Sequence, residues 1–282
     1  NDLNILSEDI TGTGIKEMFV QKNPEQIVWC IKDDGTACIL TYDRQQNLQG
    51  WANINTTGTI ISGATIPSSG EDLVFMCVNR GTTASPIYCI EQFQARSGLD
   101  WYVDSGATVN YSTLSFTDIT LTQSGSSGSQ KFTFTQASTS GLAADDIIKI
   151  TGLTDIPLLN NKSYKIIADS SNFKLVQIGT TTEIRPTVDT ADTKTYTVSI
   201  EKVTNTVSGL SHLEGKKLQV VSDGNFAEEL TVSSGSITLS EYANKIIAGL
   251  SYTSTLRPMP IEPTLTGRQS QSRVKSASKI IV

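Results

Sequence analysis

The chain has 282 residues, of which 38% are hydrophobic and 18% charged, and its formal net charge is −6. A chain of this length can bury one or two substantial cores, but its acidity argues against a surface that holds nucleic acid by releasing phosphate counterions. No run of about eighteen apolar residues occurs, so no transmembrane helix is predicted. Abundant Thr, Ser and Gly are typical of many strands and turns, and we predict an all-β fold.

Residues 27–51 predict a meander of three short strands. Apolar and polar side chains alternate there at period two, and Asp34 and Gly35 form the turn signal between the first two strands. The pattern closes on Gly50 and Trp51. Because this stretch is rich in β-forming residues and has no charged pocket residue, it favours an assembly component over an enzyme.

The cysteines lack the spacing and the histidine partners of a zinc site, and we predict buried free thiols. A two-residue hairpin loop would set Cys30 opposite Ile39 and Cys38 opposite Ile31, on different faces, which disfavours a disulfide between Cys30 and Cys38. A three-residue loop would shift that register and leave the question open. The four cysteines are Cys30, Cys38, Cys77 and Cys89.

Two similar units of about forty residues adjoin in the first part of the chain, and this is the period of a four-stranded propeller blade. Two units cannot close a ring, so further blades are expected upstream. The predicted strands lie near 15–20, 26–32, 36–43 and 47–54 in the first unit and near 59–66, 72–79, 85–93 and 99–103 in the second. The residues expected to carry this structural motif are Trp29, Asp34, Gly35, Tyr42, Asp43, Arg44, Gly50, Trp51 and Glu91.

A Ser- and Gly-rich stretch at about 118–130 predicts a flexible linker. A small antiparallel barrel or sandwich is expected behind it, followed by further strands with turn signals at Asp223-Gly224 and Ser234-Gly235. The strands of this middle module are predicted to begin at Lys131, Asp146, Lys162, Asn172 and Thr195. The predicted domains are a propeller-like region at 1–117, an inserted β domain at 118–204 and a C-terminal β region at 205–282.

The sequence holds one histidine, His212, which removes most His-dependent mechanisms. Glu214, close to it, is expected to cap a turn. Adjacent acids in a strand point to opposite faces, so they are not expected to form a hydrolase pair. The candidate pairs are Asp33-Asp34, Asp145-Asp146 and Glu228-Glu229. We therefore predict no catalytic residue, no cofactor and no metal site, and no enzymatic activity.

The stretch from Arg257 to Lys279 carries five basic residues against one acid, Glu262. It contains no aromatic residue for base stacking, so a solvated face or a subunit contact is favoured over a nucleic-acid site. The chain begins without Met and ends on three apolar residues. From these ends we predict a fragment of a longer polypeptide.

Several segments carry a family resemblance: NDLNILSEDI, PEQIVWCIKDDGT, LTYDRQQNLQGW and IYCIEQF. Through them, residues 27–92 resemble the tail tubular, or tail nozzle, proteins of short-tailed phages, a family also described as stabilisation proteins of packaged DNA. Residues 207–260, with GLSHLEGKKLQVVSDGN, SGSITL and KIIAGLSYTSTLRPMP, resemble the last part of the same proteins. The family usually shows a W-x-R/H-like ending, whereas here Trp51 is followed by Ala52-Asn53-Ile54.

The middle segments DDIIKITGL, LLNNKSYKII and NFKLVQIG are similar to a small β domain that recurs in phage proteins and is named after part of the ubiquitin-activating enzyme. This second likeness implies a fold only. The tail-nozzle resemblance implies a structural virion protein, assembled in the host cytoplasm as a hexameric ring below the portal and adaptor proteins, with tail fibres as further partners. It also implies a conduit that retains and ejects genomic DNA without sequence-specific binding.

An alternative interpretation is a host-surface adhesin module that binds carbohydrate, because β modules with Tyr, Trp and Asn on exposed loops often serve in adhesion. The contacts would then be Tyr102, Asn110, Tyr111 and Tyr164. The tryptophans could stack on sugar rings, although their recurrence at equivalent places in the two units favours core packing. A glycan hydrolase is the third and least favoured interpretation.

Overall fold

The computed structural model describes residues 7–43, 45–46, 48–94, 103–124, 131–135, 141–154, 156–169, 172–184 and 194–255. These ranges contain one short helix, α1 (Glu8–Thr11), two single turns of 3-10 helix and nineteen strands, all paired antiparallel. The prediction of an all-β fold is therefore confirmed. The described residues up to Ser251 form one compact unit.

The first two sheets follow the two predicted units. The first sheet has the order β1-β2-β3-β4, and the second has the order β5-β6-β7. The strands are β1 (Ile15–Gln21), β2 (Ile27–Lys32), β3 (Ala37–Asp43), β4 (Leu48–Ile54), β5 (Thr59–Ile66), β6 (Leu73–Asn79) and β7 (Tyr88–Gln92). These seven strands confirm the predicted ones, whereas most of the eighth, near 99–103, lies outside the described residues.

The loop between β2 and β3 corrects the register expected for a two-residue turn. The amide of Lys32 donates to the carbonyl of Thr36 at 2.9 Å, which leaves three residues in the loop, the last of them Gly35 at φ +79°. A glycine in the left-handed region closes a three-residue hairpin loop without strain. This register sets Cys30 directly opposite Cys38. The pairing of Cys30 with Ile39 was therefore wrong, and the three-residue alternative is confirmed.

The first and second sheets pack face to face through their inner faces. Trp29 and Ile31 of β2 contact a layer that includes Ile60 of β5 and Met76 of β6. Alternation along each strand produces this arrangement, because every second side chain points to the same face. The buried members of this core are Ile27, Trp29, Ile31, Ala37, Ile60, Val74, Met76 and Val78.

The strand that follows, β8 (Asp104–Asn110), belongs to neither of these sheets, and after it the chain enters the middle module. This module comprises β9 (Thr113–Ser124), β10 (Lys131–Thr135), β11 (Ile147–Thr151), β12 (Ser163–Asp169), β13 (Asn172–Val176) and β14 (Lys194–Lys202). Their pairing order, β10-β13-β12-β11-β14-β9, returns from β9 to β10. The predicted linker is wrong over residues 118–124, because β9 runs through them and pairs with both β10 and β14.

The last strands are β15 (Thr204–Ser208), β16 (Lys217–Ser222), β17 (Asn225–Thr231), β18 (Ser236–Ala243) and β19 (Lys245–Leu250). They form the sheet β17-β16-β19-β8 and the pair β15-β18 around one buried core. Both predicted turns are confirmed, since Asp223-Gly224 and Ser234-Gly235 all have positive φ, as a tight hairpin turn requires. The chain thus leaves this core after β8 and returns to it at β15. Between these two strands, Thr113 pairs with Glu201.

Candidate functional site

A buried arginine joins the second sheet to β8. The side chain of Arg80, only 2% exposed, follows β6 and contacts the carboxylates of Glu91 on β7 and Asp104 on β8. Its Nε donates to Glu91 Oε1 at 2.7 Å, and its Nη2 contacts both Glu91 Oε2 and Asp104 Oδ1. Nη1 donates to the Thr57 carbonyl at 2.6 Å and to Thr56 Oγ1 at 2.7 Å. All five N–H groups of the guanidinium therefore have acceptors.

Two hydroxyl groups complete this cluster, which we call the Arg80 cluster (Thr56, Arg80, Glu91, Asp104 and Ser105). Thr56 Oγ1 donates to Asp104 Oδ2 at 2.6 Å, and Ser105 Oγ donates to Glu91 Oε1 at 2.8 Å. One cation faces two carboxylates, and the bidentate geometry fixes both of them relative to the guanidinium plane. The cluster can hold strands in register, but every polar group described in it already has a partner.

A small cavity lies between the first and second sheets, beside an aromatic group. It measures about 140 Å³ and is lined by residues of β1, β2, β3 and β6 and of the segments before β6 and after β7. Trp29 stacks in parallel on Phe19, with ring centroids 6.1 Å apart, and meets Phe93 at 57° with centroids 4.8 Å apart. The lining residues are Gln21, Ile27, Trp29, Ile39, Glu71, Asp72, Leu73, Val74, Phe93 and Gln94.

Asp72 is the buried acid of this cavity, with 5% of its surface exposed. Its Oδ2 accepts hydrogen bonds from the amides of Lys22 at 2.7 Å and Asn23 at 3.1 Å, whereas its Oδ1 is buried and accepts none. The two amides lower the pKa of Asp72 below its ordinary value. Gln21, also buried, accepts from Trp29 Nε1 at 3.2 Å and donates to the Asn23 carbonyl at 3.0 Å.

The outer faces of the first two sheets carry exposed apolar side chains. On the second sheet, Ile90 is 80% exposed and lies opposite Cys77, and Ile66 is 52% exposed and lies opposite Leu73. On the first sheet, Met18 is 65% exposed. We call these surfaces the outer face of the second sheet (Ile66, Leu73, Phe75, Cys77, Tyr88 and Ile90) and the outer face of the first sheet (Met18, Val20, Val28, Leu40 and Trp51). On the first sheet this face is partly covered, since Leu40 is only 5% exposed.

The predicted motif residues occupy different structural positions. Trp29 is buried in the core, as expected for core packing, and Trp51 is half-buried on the outer face of the first sheet. Asp34 and Asp43 bond the backbone of their own turns, at Thr36 and at Gln45. A Cβ at Gly35 would overlap Thr59, whereas one at Gly50 would meet open space. Tyr42 is half-buried in β3, Glu91 lies in the Arg80 cluster, and Arg44 lies outside the described residues.

The acids considered for catalysis have structural contacts. Glu214 accepts hydrogen bonds from the amides of Ser234 and Gly235 at 2.9 and 2.8 Å, so it caps a turn as predicted. His212 is half-buried in a single helical turn next to it. Glu228 bonds Ser240 while its neighbour Glu229 pairs with Lys217. Asp145 and Asp146 likewise contact different lysines, Lys165 and Lys202.

The residues proposed as carbohydrate contacts of an adhesin differ in their exposure to solvent. Tyr164 is 5% exposed and belongs to the core of the middle module, so a role for it in surface contact is wrong. Burial also raises the pKa of its hydroxyl. Tyr111 is 38% exposed and Asn110 is exposed, whereas Tyr102 lies outside the described residues.

All four cysteines are free thiols, as predicted. Cys30 and Cys38 are 1% and 0% exposed. Burial, together with the nearby Cys38, raises the pKa of Cys30 to about 11. Burial raises the pKa of Cys38 and Cys89 as well. A raised pKa lowers the fraction of reactive thiolate at neutral pH, so these three thiols react more slowly than a free cysteine.

These features define an all-β protein of packed antiparallel sheets whose most developed polar site is a buried ion cluster between strands. No group of three His, Cys, Asp or Glu side chains in the described ranges is arranged to hold a metal ion, and no helix found there is long and apolar enough to cross a membrane. The sequence matches no protein-family model and no curated protein at significant similarity.

The residues that sequence reasoning missed are Arg80, Asp104 and Asp72. In the sequence, Arg80 stands directly before Gly81 and resembles an ordinary turn residue. Asp104 lies on β8, which was not predicted as a strand, and its partner β19 is more than a hundred residues away in the chain. Asp72 stands beside Glu71 and resembles an ordinary loop acid. The one local sign of the buried ion cluster was a lone Arg between two apolar strands.

Proposed function

We propose that this chain is a structural component of a phage tail, a nozzle or tube protein that forms part of the conduit for genomic DNA. The proposal rests on the sequence resemblance together with the all-β architecture. Two consecutive antiparallel meanders pack against each other, and their outer faces keep apolar side chains exposed. The exposed apolar side chains of the outer faces carry the proposal, because an isolated two-sheet sandwich gains nothing from apolar outer faces.

In this proposal the first two sheets are blades of a propeller-like body, and each outer face packs against a further sheet. A blade in the middle of such a body is apolar on both faces, as the first two sheets are. The middle module, with its cyclic strand order, is a small β-barrel inserted into the C-terminal region. Further copies of the chain, in a hexameric ring, would supply the neighbouring surfaces, with the portal, the adaptor proteins and tail fibres as partners.

The charge of the chain supports a conduit more than a DNA-binding protein. The formal net charge is −6, and DNA carries a dense negative charge of its own. Like charges around a channel repel the duplex and let it slide instead of holding it. The protein would act through the shape and closure of the assembly, in the virion, without a chemical step.

The oligomeric part of this proposal can be tested in solution. Ile90→Asp places a charge on the outer face of the second sheet, where the side chain is 80% exposed. Leu158→Asp is the matched control, because Leu158 is 77% exposed but lies in the middle module. We expect native mass spectrometry to detect an oligomer of wild type and of the control but mainly monomers of Ile90→Asp. Monomers in all three samples would contradict the proposal for this chain.

The conduit itself requires an experiment on particles. Phage particles assembled without this protein are expected to package DNA but to lose it, or to fail to deliver it. Complementation with wild type should restore retention, and complementation with Ile90→Asp should not. Normal retention and delivery by particles that lack the protein would rule out the conduit.

A further inference from the structure

We propose that the cavity between the first and second sheets is a binding site for a small organic cation, a primary amine with a compact apolar body. The recognition elements are the Asp72 carboxylate and the rings of Trp29 and Phe93. This inference does not rest on the tail function. It rests on the contents of one cavity, and a failure of either proposal would leave the other standing.

The volume and walls of the cavity limit the size of the ligand. At about 140 Å³, it is comparable to engineered cavities that accept benzene. Most of its lining residues are apolar, among them Ile27, Ile39 and Val74. Such walls select a compact hydrocarbon body and leave one or two polar positions to fix the orientation of the ligand.

Asp72 supplies an acceptor without a donor. Its side chain is more than nine-tenths buried, and Oδ1 accepts no hydrogen bond although Oδ2 accepts two. A buried acceptor left unsatisfied is costly, and the cost falls when a donor reaches it. Because the amides of Lys22 and Asn23 lower its pKa, Asp72 is ionised at neutral pH and favours a donor that carries positive charge.

The aromatic rings favour the same ligand class. Trp29 and Phe93 meet at 57°, with ring centroids 4.8 Å apart, and both line the cavity. Cations are attracted to the faces of aromatic rings, most strongly to tryptophan. Phe93 is 39% exposed, so this ring can be reached from solvent.

Other ligand classes fit less well. An anion would meet two adjacent acids, Glu71 and Asp72, at the same wall. A sugar needs several polar partners, but the Gln21 amide is already engaged with Trp29 and Asn23. A neutral hydrocarbon would leave Asp72 Oδ1 without a partner. A cationic head on an apolar body satisfies both the acid and the walls.

The test uses the whole chain with benzylamine as the probe and benzyl alcohol as its neutral control. Binding is followed by nuclear magnetic resonance through the indole N–H signal of Trp29. We expect saturable, weak binding of benzylamine, with a dissociation constant of about 1 mM, and at least tenfold weaker binding of benzyl alcohol. Equal binding of the two compounds, or no saturable binding of benzylamine, would overturn the proposal.

Asp72→Asn keeps the shape of the side chain and removes its charge, and it should weaken benzylamine binding at least tenfold. Asp9→Asn, on an exposed residue of α1, makes the same charge change and should leave binding unchanged. Unchanged binding by a folded Asp72→Asn would overturn the proposal. If that variant fails to fold, the comparison of benzylamine with benzyl alcohol on wild type still decides the matter.

The cation could come from a free amine or from a lysine of another protein. A titration with Nα-acetyl-lysine amide separates these sources. Tighter binding of this compound than of benzylamine supports a protein side chain as the occupant, and weaker binding supports a free amine. Absence of binding by both compounds would exclude the site.

Discussion

Arg80 and Asp104 are 24 residues apart in the chain and are joined by two hydrogen bonds, from Nη1 to Oδ2 at 3.2 Å and from Nη2 to Oδ1 at 3.1 Å. The same guanidinium also holds Glu91, so one buried side chain links β6, β7 and β8. Because β8 pairs with β19, this contact connects the second sheet to the C-terminal strands. The Arg80 cluster is thus a joint between parts of the chain that share no strand pairing.

Replacement of Arg80 by Met should destabilise the protein by about 3–5 kcal/mol, because it leaves two carboxylates without their cation. Lys217→Met is the control. The Lys217 side chain is 66% exposed, so its ion pair with Glu229 should contribute only about 0–1 kcal/mol to the free energy of unfolding. Urea unfolding followed by circular dichroism measures both variants. Similar losses of stability in Arg80→Met and Lys217→Met would show that the Arg80 cluster does not act as a buried joint.

The four thiols should differ in their reactivity toward iodoacetamide at pH 8. Cys77 and Cys89 are half-buried and should be alkylated first, whereas Cys30 and Cys38, at 1% and 0% exposure, should react only when the first sheet opens. The pKa of about 11 for Cys30 further reduces its thiolate fraction. Peptide mass spectrometry gives the order, and all four should react alike in denaturant. Native alkylation of Cys30 as fast as that of Cys77 would contradict the burial of Cys30.

Asp34 should contribute to stability near neutral pH and lose that contribution in acid. Hydrogen bonds from the hydroxyl and the amide of Thr36 lower its pKa below the ordinary 3.8. Since the folded-state pKa is the lower one, the contribution is complete above pH 3.8 and disappears as the pH falls through the folded value. In Thr36→Val the carboxyl should titrate at higher pH, as measured by carbon-detected nuclear magnetic resonance. An unchanged midpoint would show that the hydroxyl contributes nothing.

The middle module should be removable as a unit. Thr113, at its start, pairs with Glu201, near its end, so the two connections to the rest of the chain lie side by side. Deletion of residues 113–202, with Ser112 joined to Val203 by a short Gly-Ser linker, should leave the remaining sheets folded. The isolated module should fold as well, around its own buried core. Circular dichroism and thermal unfolding check both products, and an unfolded remainder would show that the inserted strands are needed by the main body.

Local chemistry in the sequence was sufficient to predict the strands of the first two sheets. Period-two alternation predicted β1 to β7 because one face of each strand is buried against the other sheet. The turns at Asp223-Gly224 and Ser234-Gly235 were predicted because each contains a glycine, which adopts positive φ without strain. The pattern did not decide how many residues a loop contains. Because the loop has one residue more than expected, the cross-strand partner of Cys30 is Cys38 and not Ile39.

The sequence by itself determined the fold class, most strand positions and the burial of Trp29, since these follow from side-chain periodicity within a few residues. Only the tertiary structure decided which strands share a sheet and which polar groups meet. It set β8 beside β19, made β9 a paired strand in place of a linker, and brought Arg80 to Asp104. Such contacts depend on the closure of long loops and on the packing of whole sheets, and no local pattern of residues encodes either of them.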